Sequence, residues 1–234
     1  FEGAVKLDLG NYNSYGLGLA LSGPASDSIN YRFAANQYKS DGFIENSHVK
    51  KLNTNNRDET SARGKLSIQA SNDLTIDLSA FYFDFDNGYD AFSLSNTRET
   101  LSDQPGFDSQ ETSALAAKFT YEGFNSFTLV TLLSHADSDL AYGYDEDWAY
   151  VGISAPENIE NQDYAYWEYS STDYYYRDKS TQTIELRAIS NSGNELFNGS
   201  TDWVTGIYYK QDEEDFQRQY TYLDNDYTSI FDTQ

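Results

Sequence analysis

The stretch from Ala141 to Asp178 concentrates the side chains best suited to contacting a small molecule. It holds nine Tyr, two Trp and nine acidic residues against one basic residue, Arg177. Aromatic rings supply apolar area with a polar edge and can stack on sugar rings or catecholate groups. Tyr142, Tyr144, Trp148, Tyr150, Tyr164, Tyr166 and Trp167 are the contact candidates. The same rings could instead extend tall hairpins or form an interfacial aromatic girdle, a use towards which Tyr82, Tyr208 and Tyr209 lean further. Two acidic runs, Asp145-Glu146-Asp147 and Asp212-Glu213-Glu214-Asp215, offer oxygen ligands of the kind Ca²⁺ takes. Neither has the spacing of an EF-hand loop, and Asp84-x-Asp86-x-Gly88 echoes only part of one. Solvated acidic faces are therefore expected, and no metal site is assigned.

Other chemistry finds little support. With no Cys and only two His, His48 and His135, thiolate chemistry is excluded and a His-based metal cluster has little to build on. Asp and Glu are too abundant for any acid/base pair to stand out. Ser134-His135 has Asp137 nearby, but a hydrolytic triad is a matter of geometry, not adjacency, and no nucleophile elbow or phosphate loop occurs. Asn198-Gly199-Ser200 reads as a turn. No catalytic residue, cofactor or enzymatic activity is assigned. A formal net charge of −23 repels phosphates and argues against nucleic acid as a partner. An aromatic share of 16% argues against a disordered acidic tail.

The elements that must position these residues read as strands. From Ser61 to Ser71, Ala62, Gly64, Leu66, Ile68 and Ala70 alternate with Arg63, Lys65, Ser67 and Gln69, a period-2 pattern with one apolar and one polar side. Ser71-Asn72-Asp73 makes a turn, and Leu74, Ile76, Leu78, Ala80 and Tyr82 continue the apolar side. Tyr15, Leu17, Leu19 and Leu21 alternate with small residues. Ile29, Tyr31, Phe33 and Ala35 alternate with Asn30, Arg32, Ala34 and Asn36. Further strands are expected around 110–122, 124–140, 180–191 and 202–213. Facing is ambiguous within 124–136, where Phe127, Leu129 and Leu133 interleave with Val130 and Leu132. The fold class is all-β. No run of about 18 apolar residues exists for a transmembrane helix, but a transmembrane barrel needs only alternating strands of about ten. Short turns at Gly23–Asp27, Ser71–Asp73 and Glu122–Asn125 alternate with long connections near 42–59, 86–109 and 141–178. In an up-and-down sheet that places all the elaboration at one end, as in outer-membrane barrels. The chain has no Met and opens on Phe1-Glu2-Gly3-Ala4-Val5-Lys6-Leu7, which reads as strand interior. A piece of a longer protein, or a processed chain, is expected.

Several strand motifs carry a resemblance. Phe1-Glu2-Gly3, Gly10-Asn11-Tyr12-Asn13 and Leu21-Ser22-Gly23-Pro24 resemble the first barrel hairpin of TonB-dependent outer-membrane receptors. Asn30-Tyr31-Arg32-Phe33-Ala34-Ala35, Asp41-Gly42-Phe43-Ile44-Glu45-Asn46 and Arg63-Gly64-Lys65-Leu66 are similar to the next ascending strand, its outer end and the following descending strand. Thr183-Ile184-Glu185-Leu186-Arg187-Ala188-Ile189-Ser190 and Asp202-Trp203-Val204-Thr205-Gly206-Ile207-Tyr208-Tyr209 resemble another strand pair of that family. The order and spacing of the motifs are more specific than any one of them.

The resemblance implies an antiparallel up-and-down transmembrane β-barrel fragment with long extracellular loops. Residues 1–234 would form part of the receptor barrel, about nine or ten strands, beginning just after a plug domain that this chain lacks. It implies a protein of the outer membrane of a Gram-negative bacterium, with outer-membrane lipid and the TonB complex, reached through the plug, as partners. The implied function is TonB-energised uptake of a scarce ligand, by default a ferric siderophore, with cobalamin or an oligosaccharide also open. Arg32, Arg63, Lys65 and Gln69 would line the lumen and meet the plug. Two other readings stand beside it: a soluble or secreted β-sandwich binding carbohydrate through Tyr/Trp-rich loops, and a passive porin-like channel. The apolar faces separate the first two, since a soluble sheet must bury its apolar face against a second layer.

Overall fold

A computed structural model describes residues 1–153, 170–191, 195–196, 199–222 and 225–233, with the segments 195–196, 199–200 and 225–233 as backbone only. Ten strands run antiparallel in one sheet, each beside its neighbour in the chain. They are β1 (Glu2–Leu9), β2 (Tyr15–Ser26), β3 (Ile29–Ser40), β4 (Arg57–Gln69) and β5 (Leu74–Gly88). They continue with β6 (Phe107–Tyr121), β7 (Phe127–Asp145), β8 (Ser171–Ser190), β9 (Val204–Tyr222) and β10 (Asn225–Thr233). This is the all-β, up-and-down antiparallel architecture that the alternation predicts.

Short turns join β2 to β3, β4 to β5 and β6 to β7 at one end of the sheet. Between β4 and β5, Ala70 N donates to Leu74 O at 2.8 Å and Asp73 N to the Ser71 hydroxyl at 3.3 Å, an ordinary use of Ser and Asp in turns. The connections 41–56 and 89–106 and the described part of the next, 146–153, lie at the opposite end. There a parallel bridge between Glu45–Asn46 and Glu99–Thr100 joins the first two.

The ladders show which side chains share a face, because residues directly opposite in an antiparallel pair point the same way. One face carries Leu17, Leu19 and Leu21 of β2; Tyr31 and Phe33 of β3; Leu66 and Ile68 of β4; and Leu74 to Tyr82 in alternation on β5. It continues through Leu115 and Phe119 of β6, Phe127, Leu129 and Leu133 of β7, Ile184 and Leu186 of β8, and Ile207 and Tyr209 of β9. The ambiguity in β7 is thereby resolved: Val130 and Leu132 take the other face. Along β5 the apolar band runs from Leu74 to Tyr82, close to the nine to eleven tilted residues that cross a bilayer as a strand. Its upper edge steps through the register, with Tyr82 opposite Ser113 and Leu115 opposite His135, as expected for strands tilted across a membrane.

Almost nothing covers this band. Among the described residues the buried apolar side chains are only Ile44, Val130 and Ala149, while Leu115 is 63% and Ile207 73% exposed. The sheet is a single layer, so the β-sandwich reading fails: no second sheet packs on the apolar face among the described residues. A cavity of about 820 Å³ on this face, bordered by Tyr31, Phe33, Leu66, Leu78, Leu115 and Leu133, is a groove between outward-facing side chains.

The strands run further than the alternation indicates. β7 continues to Asp145, β8 begins at Ser171, and β9 passes through the run Asp212 to Asp215 as far as Tyr222. Above the band the outward face turns acidic, with Asp84, Glu111, Asp137, Asp139, Asp178, Glu213 and Asp215. Apolar alternation stops there while the backbone ladder does not, so pattern reading cuts these strands short. At about 3.3 Å per residue, the 20 residues of β8 extend about 66 Å and, even tilted, reach well beyond a roughly 25 Å apolar band. Among strand lysines and arginines only Lys39 faces outward, and it pairs with Asp58 at 2.6 Å. Arg32, Arg63, Lys65, Lys118, Arg187 and Lys210 all share the opposite, polar face.

This geometry predicts opposite outcomes at neighbouring positions. Leu78→Arg, at mid-band on the outward face, should cost about 2–4 kcal/mol. Ser79→Arg, on the polar face, should cost less than about 1 kcal/mol. The denaturant midpoint for folding into phospholipid vesicles measures both.

Candidate ligand-binding site

The aromatic residues gather where the long connections fold back over the polar face. Tyr142 and Tyr144 point to that face from β7, and Tyr175 points to it from β8, directly opposite Tyr142. Tyr89 and Phe92, from the connection 89–106, close on them: the Tyr89 and Tyr142 rings lie 4.8 Å apart, Phe92 and Tyr144 5.6 Å apart. Trp148 stacks flat on Phe92, with centroids 5.0 Å apart and planes 7° apart. Its backbone has φ 61°, a left-handed conformation that is rare for so bulky a residue. Strain of that kind persists only where the surroundings enforce it, and here the Phe92 stack holds the ring. The result is a recess of about 630 Å³ bordered by Phe92, Tyr142, Tyr144, Trp148 and Tyr175, with Asp108, Gln110 and Arg177 as its polar groups.

Hydrogen bonds fix its floor. Arg218 of β9 grips Asp173 through Nε and Nη2, both at 2.7 Å, and Tyr175 donates to the same carboxylate at 2.7 Å. Burial works against the charge on Asp173, but the guanidinium and two phenols outweigh it and hold the carboxyl below its usual range. Burial also raises the Tyr142, Tyr144 and Tyr175 phenols, Tyr175 to about 12. All three therefore stay protonated at neutral pH. They offer hydrogen bonds and ring faces to a ligand, not phenolates to a metal.

The connections themselves are pinned by a buried polar knot. Asp90 accepts from Asn46 Nδ2 at 2.7 Å, Thr100 Oγ1 at 2.8 Å and Ser102 Oγ at 3.0 Å. Asn46 Oδ1 accepts from the backbone N–H groups of His48 and Val49. Gly106 makes a close approach to β7 possible, since a side chain there would collide with the Gly143 carbonyl.

Of the aromatic candidates, the structure brings Tyr142, Tyr144 and Trp148 into the recess. The first two sit on a strand instead of in a loop. Tyr150 lies elsewhere, stacked on His48 at 4.0 Å. Tyr164, Tyr166 and Trp167 fall outside the described residues. Sequence reasoning missed Tyr89, Phe92, Tyr175, Asp108, Gln110 and Arg177. A signal existed for Tyr175 and Arg177, which belong to the Tyr-rich stretch, and none for Phe92, which arrives from a different connection. The acidic run 145–147 is not the expected solvated face either: Asp145 is 4% and Asp147 5% exposed, packed beneath the connections. Asp147 accepts from the N–H groups of Ser171 and Ala149. No group of three or more acidic or histidine side chains among the described residues is arranged to hold a metal. On the polar face, Arg32 stands directly opposite Lys65, Gln69 opposite Thr75, and the Arg63 guanidinium lies 5.7 Å over the Phe81 ring.

Two outcomes follow. Asp90→Ala removes the acceptor shared by three donors; Asn46 Nδ2 keeps the Ser102 carbonyl at 2.9 Å, and each donor left unpaired costs about 1–3 kcal/mol. Hydrogen exchange should rise across 41–56 and 89–106 while the paired centres of β4 to β6 stay protected. Because folding depresses the Asp173 pKa, the stability it contributes is present above the unfolded value of 3.8 and is lost as pH falls through the lower folded one. Asp173→Asn should therefore lower stability at neutral pH and flatten its loss on acidification, as read by unfolding midpoints between about pH 2 and 7.

No family model matches the sequence, and no curated protein matches it. Solved structures do. The ferric yersiniabactin uptake receptor FyuA from Yersinia pestis superposes with a TM-score of 0.74 at 15% identity, covering 97% of this chain and 33% of that one. FpvAI, in its complex with pyocin S2, gives 0.67 at 14% identity, covering 97% and 29%. Pseudomonas aeruginosa FpvA, bound to a heterologous pyoverdine with iron, gives 0.50 at 15%, covering 97% and 38%. The chain thus spans about a third of the length of the receptors it matches. At these identities the likeness carries the fold alone: this chain is folded as a stretch of the β-barrel wall of FyuA and FpvAI is folded.

Proposed function

We propose that this chain forms part of the barrel wall of a receptor in the outer membrane of a Gram-negative bacterium, and that the receptor takes up a ferric siderophore with energy passed through TonB. The observation that carries this reading is the recess at the elaborated end. It sits on the face turned away from lipid, where a ligand arriving from outside would enter the lumen. Stacked Phe92 and Trp148 give a flat apolar wall, the neutral phenols give hydrogen bonds, and Arg177 supplies a cation beside it. Such a wall grips the organic frame of a metal chelate without competing for the metal. The role is binding and passage, with no bond made or broken by the protein.

Deeper in the lumen, Arg32 and Lys65 face each other as like charges, which is unfavourable in isolation. Acidic side chains of a plug domain would relieve them, and Arg63 and Gln69 share that surface. Fluorescence titration of the purified receptor tests the proposal. Ferric siderophores should quench Trp fluorescence at saturable concentrations. Phe92→Ala should weaken binding by about 2 kcal/mol, roughly 30-fold, as expected when an anchoring ring is truncated. Binding of cobalamin or an oligosaccharide in place of every siderophore tried would replace the ligand assignment, and unchanged affinity in Phe92→Ala would remove the recess from it.

A further inference from the structure

Beneath the connections lies a carboxylate that the recess does not use. Asp145 ends β7 opposite Thr172, on the outward face of the sheet. Both are covered: Thr172 is 3% and Asp145 4% exposed. The cover comes from the connection 89–106, which presses onto β7 at Gly143 and ties itself to the next connection through Asp103 N donating to Ala149 O at 2.9 Å. Gln104 Nε2 reaches Ser170 Oγ at 3.2 Å across the same place.

Neither oxygen of Asp145 accepts a hydrogen bond of normal geometry, and one oxygen of Asp103 is in the same position. A buried carboxylate without partners is costly enough that the group takes up a proton instead. The groups facing it make ionisation harder still. Asp147 follows on the outer connection, Asp103 comes from the connection 89–106, and the Tyr174 phenol stands on β8. His48, from the connection 41–56, faces Asp103 and eases only that charge. Glu146 faces Asp147. Among the described residues, the backbone N–H groups of Asp147 and Gln104 favour the Asp145 anion, more weakly than burial, Asp147 and Asp103 oppose it. Burial first, then Asp147 and Asp103, push the carboxyl up to about 8, and burial also raises Asp103 and Asp147.

We propose that Asp145, set against Asp103 and Asp147, is a proton-operated latch: protonated, it lets the connections 89–106 and 146–153 close over the ends of β7 and β8, and ionised, it drives them apart. The sign follows from linkage. The folded pKa lies above the unfolded value, so the stability of the closed arrangement is full below the unfolded pKa and is lost as pH rises through the folded one. The window runs from about pH 4 to pH 8. The connections it governs carry Phe92 and Trp148, so closure and the recess are coupled, but the latch does not depend on which ligand the recess takes.

The chain contains no Cys, so a nitroxide label on Asn96→Cys reports the connection 89–106 without interference from the rest of the chain. In the detergent-purified protein without ligand, the label should pass from immobile to mobile with a midpoint above the ordinary carboxyl value of 3.8 and no higher than about pH 8. Infrared difference spectra should show a protonated carboxyl disappearing over the same range. Asp145→Asn, which mimics the neutral acid, should abolish both changes and leave the connection closed. Asp103→Asn removes one opposing charge and should move the midpoint down, and exposed Asp137→Asn should leave it unmoved. A transition that persists in Asp145→Asn, or a midpoint indifferent to Asp103→Asn, would overturn the proposal. So would a midpoint that millimolar Ca²⁺ shifts downward, since a metal would then be the partner of the anion.

Discussion

A sheet one layer thick cannot bury its own side chains, and every other property of this chain follows from that. Leucines, isoleucines and aromatics form a continuous band on one face, and among the described residues nothing is folded against it. Leaving such side chains in water costs about 1.5–3 kcal/mol each. Across the band that reaches tens of kcal/mol, more than the 5–15 kcal/mol by which a whole domain is ordinarily stable. An apolar solvent removes the cost without a second layer. The band is as tall as the hydrocarbon it would meet, and its face is stripped of charge from Leu74 to Tyr82 on β5. Once lipid occupies that face, the other face becomes the lumen. The segregation of basic side chains onto it then has a reason, because only there can water or other protein solvate them.

Above the band the constraint relaxes, and the molecule changes character without changing secondary structure. The same strands continue with carboxylates facing outward and Tyr, Arg and Asp facing in. That continuation gives the outer connections a rigid base. The Asn46–Asp90 knot, the Arg218–Asp173 fork and the Phe92–Trp148 stack then set the recess on paired strands. The acidic composition fits this division: the charge lies in the connections and on the strand surface beyond the lipid, absent from the band itself.

The band, the up-and-down order and the end bearing the long connections were legible in the sequence, because period-2 alternation is a direct image of a two-sided environment. The tall ends of β7, β8 and β9 were not. Where both faces meet water the alternation has nothing to report, and backbone pairing leaves no trace in side-chain type. For the same reason Tyr142 and Tyr144 read as loop residues although the ladder holds them. The recess was half legible. Tyr-rich composition pointed to its β7 and β8 walls, but Phe92 belongs to it only through a long-range fold that no local pattern encodes. The burial of Asp145 escaped notice for a related cause: an acidic triplet looks solvated until a connection some forty residues earlier in the chain covers it.

Single cysteines placed in turn from Ile76 to Phe83 along β5, spin-labelled in lipid vesicles, test the two-sided sheet most directly, because this chain has no Cys of its own. Labels at Ile76, Leu78, Ala80 and Tyr82 should be relaxed by oxygen dissolved in the bilayer. Those at Asp77, Ser79, Phe81 and Phe83 should respond to a water-soluble nickel reagent, so the two accessibilities alternate out of phase with a period of two. Alternation in the reverse sense, or protection of the even positions from both relaxants as in a buried protein core, would contradict the account.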